Sequence, residues 1–187
     1  DADSIFALTI GNDVWMSTNG TGSGDGGDWQ MVFQSPGSSV TTMWNLQYGN
    51  NVWCGGGTNS QGKGNLTGSG GGTGSWGHFD RPADRAMRGA ATNMSGAWVI
   101  GGNDGYIWYS SDNAASWSEV RVPENDGSST YRDWYDVAYD NDGTWVACGE
   151  RAYAISTDNG QTWATSNGLA GNTTYNAIAF NVTNTSQ

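Results

Sequence analysis

Short runs of apolar residues alternate with polar or glycine-rich breaks along this chain, and the runs recur. One landmark is an apolar residue followed by glycine: Ile10-Gly11, Cys54-Gly55, Ile100-Gly101 and Cys148-Gly149, at steps of 44, 46 and 48. A second is a tryptophan that closes a polar loop, at Trp29, Trp76, Trp117 and Trp163, at steps of 47, 41 and 46. Two independent markers give one period and one number of copies, the signature of a repeat architecture. No stretch sustains the three-and-four spacing of an amphipathic helix, so the runs predict strands.

Each repeat reads as four short strands. The first is predicted in "WNLQY" (44–48), "MRGAA" (87–91), "WYDVAY" (134–139) and "YNAIAF" (175–180). The second is "SIFALTIG", "NNVWCGG", "GAWVIGG" and "GTWVACG"; the third is "DVWMST", "YIWYSS" and "AYAIST", and is indistinct around "KGNLTGS". The fourth opens at the marker tryptophan, in "WQMVF", "WGHF", "WSEV" and "WATS". Asp142-Gly143 suits a two-residue hairpin turn between first and second strands. Four antiparallel strands in about 46 residues match one blade of a β-propeller.

The expected fold is therefore all-β: a β-propeller of four-stranded antiparallel blades, one domain over 1–187, with repeats at approximately 1–35 plus 172–187, 40–80, 84–122 and 131–168. The chain starts within a second strand and stops after a first. Pairing 175–180 with 5–10 would stitch one blade from both termini, remove the open sheet edges and give four blades.

The loops before the marker tryptophans carry a motif. Ser156-x-Asp158-x-Gly160-x-Thr162-Trp163 resembles the Asp-box, or BNR repeat, of sialidase-like and photosystem-assembly-factor-like propellers. Ser110-x-Asp112-x-x-x-Ser116-Trp117 is a second copy, with Ala114 where glycine is usual. Ser17-Thr18-Asn19-Gly20 with Trp29 resembles a third, with Asn19 for the aspartate and five extra residues. Ser69 to Trp76 keeps the seven-residue step but has Gly71 at the aspartate position. The resemblance implies turns on the blade rim, away from a binding face, and a non-catalytic member of that superfamily. Making such a turn needs a carboxylate that accepts backbone N–H groups, a residue tolerant of positive φ, and an aromatic ring under the loop.

Composition narrows the function. The formal charge is −11, with seven Lys and Arg in 187 residues and a single His. So few cations cannot track a phosphate backbone, which excludes nucleic acid as an expected ligand, and no apolar run is long enough to insert into a membrane. Asp1 in place of an initiator Met implies a removed leader or a piece of something longer. Cys54 and Cys148 share a slot with Ile10 and Ile100 and read as free core thiols. His78 has no companion His or Cys for a zinc site or a nucleophile triad. Calcium is the one cofactor the oxygen-rich "DNDG" loop brings to mind, without the distal glutamate of a calcium loop.

Candidate partner contacts are Trp44 and Trp134, with Trp108, as platforms for a sugar ring, and the arginines of "FDRPADRAMR", Arg81, Arg85 and Arg88. Arg81-Pro82 is a partial likeness to the Arg-x-Pro of sialidases; those arginines also suit ion pairs with Asp80, Asp84 or neighbours in a linker. The carboxylate pairs Asp133/Asp136, Asp140/Asp142 and Asp25/Asp28 are the material a glycosidase would need. The glycine-rich stretch 57–75 reads as a long loop. The favoured expectation is a non-enzymatic propeller outside the cell or on a virion surface, such as a phage tail component, binding a protein or glycan partner. The other is a carbohydrate-active protein, lectin or sialidase-like.

Overall fold

A computed structural model describes residues 6–10, 13–17, 29–33, 42–58, 65–69, 76–78, 85–123, 131–167 and 173–181. It is built of antiparallel meanders in two compact units, residues 1–86 and 87–187. In the first unit, β1 (Phe6–Ile10), β2 (Asp13–Ser17) and β3 (Gln30–Phe33) form a sheet in chain order. A second sheet holds β4 (Thr42–Gly49), β5 (Val52–Thr58), β6 (Asn65–Ser69) and β7 (Trp76–His78). The indistinct strand of the second repeat is thus β6, inside the stretch read from sequence as a loop.

The second unit contains two four-stranded sheets. One runs β8 (Met87–Thr92), β9 (Trp98–Gly102), β10 (Tyr106–Ser110) and β11 (Ser118–Arg121), with a 3-10 turn at Asn103–Gly105 between β9 and β10. The other runs β12 (Trp134–Tyr139), β13 (Trp145–Gly149), β14 (Ala152–Ser156) and β15 (Ala164–Asn167). This turn is the single helical element among the described residues, and none there is long and apolar enough to cross a membrane.

Tryptophans at the start of the second strands set the core. Trp98 and Trp145 are fully buried and stand directly across from Thr92 and Tyr139, with the Tyr139 and Trp145 rings 4.6 Å apart. Val99, Ile107, Trp134, Val137, Ala147 and Ala154 join Trp145 in one buried cluster spanning both sheets. Close approach of the two sheets needs glycine. A Cβ on Gly89 of β8 would collide with the Asp136 side chain and backbone of β12, and one on Gly101 would lie 3.0 Å from Trp134. In the first unit Val14 and Met43 form a buried cluster, backed by Val32 and Leu46.

Three expectations are corrected. Residues 173–181 form no strand beyond one bridge, Thr174 to Glu150, and β1 pairs with β2 alone among the described residues. The pairing of 175–180 with 5–10 is not formed, because two of those amides are engaged elsewhere: Tyr175 N–H on Gly149 O at 2.9 Å, and Ile178 N–H on the Asp136 carboxylate at 3.0 Å. Next, the turn between β12 and β13 is not the pair Asp142-Gly143. Tyr139 faces Trp145, leaving a five-residue loop in which the Asp140 carboxylate accepts N–H from Asp142 and Thr144, each at 2.8 Å. A two-residue turn does occur at Asn50-Asn51, both at positive φ between paired Gly49 and Val52, as a primed hairpin turn requires.

Finally, Ile100 and Cys148 are not equivalent. Ser110 pairs with Trp98 and Ser156 with Trp145, which puts Ala147 at the place of Ile100 and Cys148 one step further, opposite Asp136. Both cysteines are nevertheless buried free thiols. Burial pushes the Cys148 thiol up to about 11, with the Asp136 charge adding to it.

Truncating a fully enclosed tryptophan leaves a void its neighbours fill only in part. Trp145→Ala is expected to cost about 3–5 kcal/mol, whereas Ile155→Ala, at a position 38% exposed, costs under about 1 kcal/mol. Denaturant midpoints followed by circular dichroism check the difference.

Candidate recognition surface

Strand direction divides the second unit into two ends. At one lie the hairpin loops 93–97 and 140–144 and the loops 110–117 and 156–163, which follow β10 and β14. At the other lie the starts of β8 and β12, the Asn103–Gly105 turn and the link from β13 to β14.

The loops 110–117 and 156–163 match bond for bond. Ser110 and Ser156 are buried; each donates its hydroxyl to the aspartate two residues on, at 2.8 Å, and accepts the N–H of Ala114 or Gly160 at 3.0 Å. Asp112 accepts the N–H and hydroxyl of Ser116 at 2.8 and 2.5 Å; Asp158 accepts those of Thr162 at 2.9 and 2.6 Å. The indole N–H of Trp117 and of Trp163 returns to the carbonyl of Ala114 and of Gly160. Bonds to Ser116 hold the Asp112 carboxyl down at about 2, and the corresponding bonds to Thr162 lower Asp158. In the first unit Ser17 is buried at the end of β2, and Ser69 and Trp76 lie in β6 and β7. Trp29 is partly buried; Asn19 and Gly20 lie outside the described residues.

The hairpin loops of this end are closed in the same manner. Asn93 accepts N–H from Ser95 and Ala97 through its amide oxygen, as Asp140 does from Asp142 and Thr144. The "DNDG" loop therefore spends its first carboxylate on its own backbone. Among the described residues no three His, Cys, Asp or Glu side chains come together in a metal-binding group.

The opposite end is rich in tyrosine and arginine. Every basic residue of 87–187 sits there: Arg88, Arg121, Arg132 and Arg151. Arg121 is exposed, its guanidinium 3.4 Å from the centre of the Tyr131 ring and 5.2 Å from that of Tyr106, with Nε donating to Asp104 O at 3.0 Å. Arg88 lies over the Tyr135 ring at 4.5 Å, donates from Nε to Asn103 at 2.8 Å and pairs with Asp133 at 3.4 Å. Asp133 also accepts the N–H of Asp104, which is at φ 57 in the 3-10 turn. Arg132 and Glu150 pair at 3.8 Å. Gly105, at φ 78, packs so closely on Tyr131 that a Cβ would lie 2.8 Å from its ring. Burial raises the Tyr135 phenol, with Asp133 adding to the shift, and burial likewise raises the Asp136 carboxyl.

Of the sequence candidates, Arg88 belongs to this end and Arg85 precedes it, half-buried, while Arg81 lies outside the described residues. Trp134 is corrected: it is 1% exposed and Trp108 2%, so both are core residues and neither can stack on a sugar. Trp44 is 43% exposed at a register shift near the start of β4. Arg121, Tyr131, Tyr135, Asp133 and Asn103 were not singled out from sequence. Their signal is "YRDWYD" (131–136), dense in aromatics and charges just before a first strand, as "DRAMR" is before β8. Pairing register sets Tyr135 and the Arg88-Gly89 step at corresponding irregularities of β12 and β8.

No protein-family model matches the sequence, and no curated protein matches it. Solved structures do. The chain is similar to YCF48 bound to D1 peptide, at 20% identity and TM-score 0.58, over 88% of this chain and 50% of that one. YCF48 from Cyanidioschyzon merolae is similar at 17% identity and TM-score 0.57, over 85% of this chain and 52% of that one. An ancestral GH74 enzyme is similar at 16% identity and TM-score 0.56, over 86% of this chain and 23% of that one. The chain thus spans about half the length of the YCF48 chains and under a quarter of the enzyme. At these identities the likeness shows the fold, a β-propeller, and not an activity.

The matched loops give a paired test. Ala114 is at φ 64 where its counterpart Gly160 is at φ 83, so Ala114→Gly relieves a left-handed alanine and is expected to stabilise by up to about 1 kcal/mol. Gly160→Ala sets a Cβ 2.8 Å from Val99 Cγ2 and is expected to cost about 1–2 kcal/mol. Denaturant midpoints should move in opposite directions. Because the folded value of Asp112 lies below its unfolded one, its contribution is complete above about pH 4 and fades as pH falls toward 2. In Asp112→Asn that part of the acid-side decline in melting temperature is expected to be absent.

Proposed function

We propose that this chain is a non-enzymatic recognition module that binds a protein partner through the arginine–tyrosine end of the second unit. The observation that carries the reading is Arg121, exposed and held between two tyrosine rings with its Nε fixed on a backbone carbonyl. Arginine and tyrosine dominate protein-binding hot spots, and a guanidinium already stacked loses little freedom on binding. That a protein of this fold, YCF48, is bound to a peptide supports the same reading. Carboxylates of this end are engaged by neighbouring amides: Asp133 by Asp104 N–H, Asp136 by Val137 and Ile178 N–H.

In the same proposal the four sheets are four blades of one domain over 1–187. The loops at Ser110–Asp112 and Ser156–Asp158 are Asp-boxes whose work is architectural. The acidic, lysine-poor composition supports a place outside the cell or on a virus particle. A second reading is a glycan-active protein. It draws on the similarity to a GH74 enzyme, on exposed Trp44 and on the burial-raised Asp136 carboxyl.

One experiment separates the readings. A random-peptide array and a panel of polysaccharides and aryl glycosides are presented to the full chain, to Arg121→Ala and to Asp136→Asn. Saturable peptide binding that falls about tenfold or more in Arg121→Ala, without turnover of any glycoside, is expected. Hydrolysis that is lost in Asp136→Asn, with no peptide bound, would overturn the proposal in favour of the enzyme.

A further inference from the structure

Residues 173–181 cross the recognition end of the second unit the way a bound peptide would. Thr174 bridges Glu150, Tyr175 donates its N–H to Gly149 O, and Tyr175 O accepts the Cys148 thiol at 3.7 Å. Three residues on, Ile178 donates its N–H to the Asp136 carboxylate at 3.0 Å. Only Tyr175 and Ile178 are partly buried; Thr173, Thr174, Asn176, Ala177, Ala179, Phe180 and Asn181 are exposed. Main-chain bonds at two points with side chains seated at i and i+3 are how a protein holds an extended peptide: the backbone contributes affinity, the seated residues selectivity.

This occupant fits imperfectly. Among the described residues the buried Tyr175 hydroxyl has no hydrogen-bond partner, an arrangement that forfeits hydration without compensation. A phenylalanine in the same seat fills it without that loss. We infer that the track formed by Asp136, Cys148, Gly149 and Glu150 is a docking site for an extended peptide, in which 173–181 is a tethered, replaceable occupant. The fitting partner is a segment with a phenyl ring at one position and an aliphatic residue with a free N–H three positions later. The inference rests on the proposed protein-binding function and names where on that end a partner lies. A tethered occupant taxes every competitor by the fraction of time it holds the site, so partner binding and tail release are one event.

The test uses the full chain and fluorescent peptides with the sequence of 173–181. Ile178→Pro removes the tail's donor to Asp136 from an exposed segment, outside any sheet. The peptide is expected to bind the Ile178→Pro chain at least about tenfold more tightly than the unchanged chain, because one charge-assisted bond of the competitor is gone. A peptide with Phe at the Tyr175 position should bind about tenfold more tightly than the native one. A peptide with Pro at the Ile178 position should not bind. Equal affinities for both chains, or no saturable binding to Ile178→Pro, would overturn the inference. The array measurement on Arg121→Ala, run on the same samples, distinguishes the two levels. If Arg121-dependent binding survives while the tail peptides fail, only the docking track falls; if both fail, the protein-binding reading falls with it.

Discussion

An antiparallel meander reverses direction every few residues, and each reversal leaves backbone N–H groups that no neighbouring strand can accept. In the second unit the four described reversals at one end meet this demand with a single device, an Asp or Asn side chain that takes two N–H groups of its own loop or an N–H and a hydroxyl. Asn93, Asp112, Asp140 and Asp158 play this part. Once these loops are closed, strand register follows, and with register the burial of Trp98 and Trp145. Charged acceptors serve well because a carboxylate holds such donors more strongly than a neutral oxygen does.

That solution has a consequence for where the charges of the unit sit. The capped end carries only acidic charges among its ionisable side chains, Asp112, Asp140, Asp142 and Asp158, each in or beside a turn. The other end is relieved of loop closing by the 3-10 turn and the short β13–β14 link, and it gathers all four arginines of the unit, with Arg88 and Arg121 stacked on tyrosines. The second unit therefore presents its positive charge at one end, at strand termini and in short links.

Much of the fold was legible because period and turn chemistry are local. "DNGQTW" announces a closed turn, and the spacing of tryptophans counts the sheets. Register was less legible: apolar-glycine pairs suggested that Ile100 and Cys148 correspond, but backbone pairing sets Ala147 there, since β9 ends in two glycines and β13 in one, which moves the pair by one position. The candidate site was read in part. Arg88 was visible as one of a cluster, whereas Arg121 gains its role only from Tyr106 across the strand pair and Tyr131 from a separate segment. Trp134 misled because an aromatic at a repeat position fits a core and a platform equally well by sequence. The segment 175–180 has a strand's pattern, yet its amides are taken by Gly149 and by the side chain of Asp136, a competition that no pattern reveals.

Side-chain acceptors close the reversals of the second unit. Amide hydrogen exchange at neutral pH measures this directly at Ala97, Ser116, Thr144 and Thr162, whose N–H groups lie in loops and have Asn93, Asp112, Asp140 and Asp158 as acceptors. The expected result is protection at all four amides, on the order of that in the adjoining strands, with the exposed loop amide of Asn141 exchanging freely. Exchange of Ala97, Ser116, Thr144 and Thr162 at the rate of an open loop, while the strands stay protected, would contradict the account.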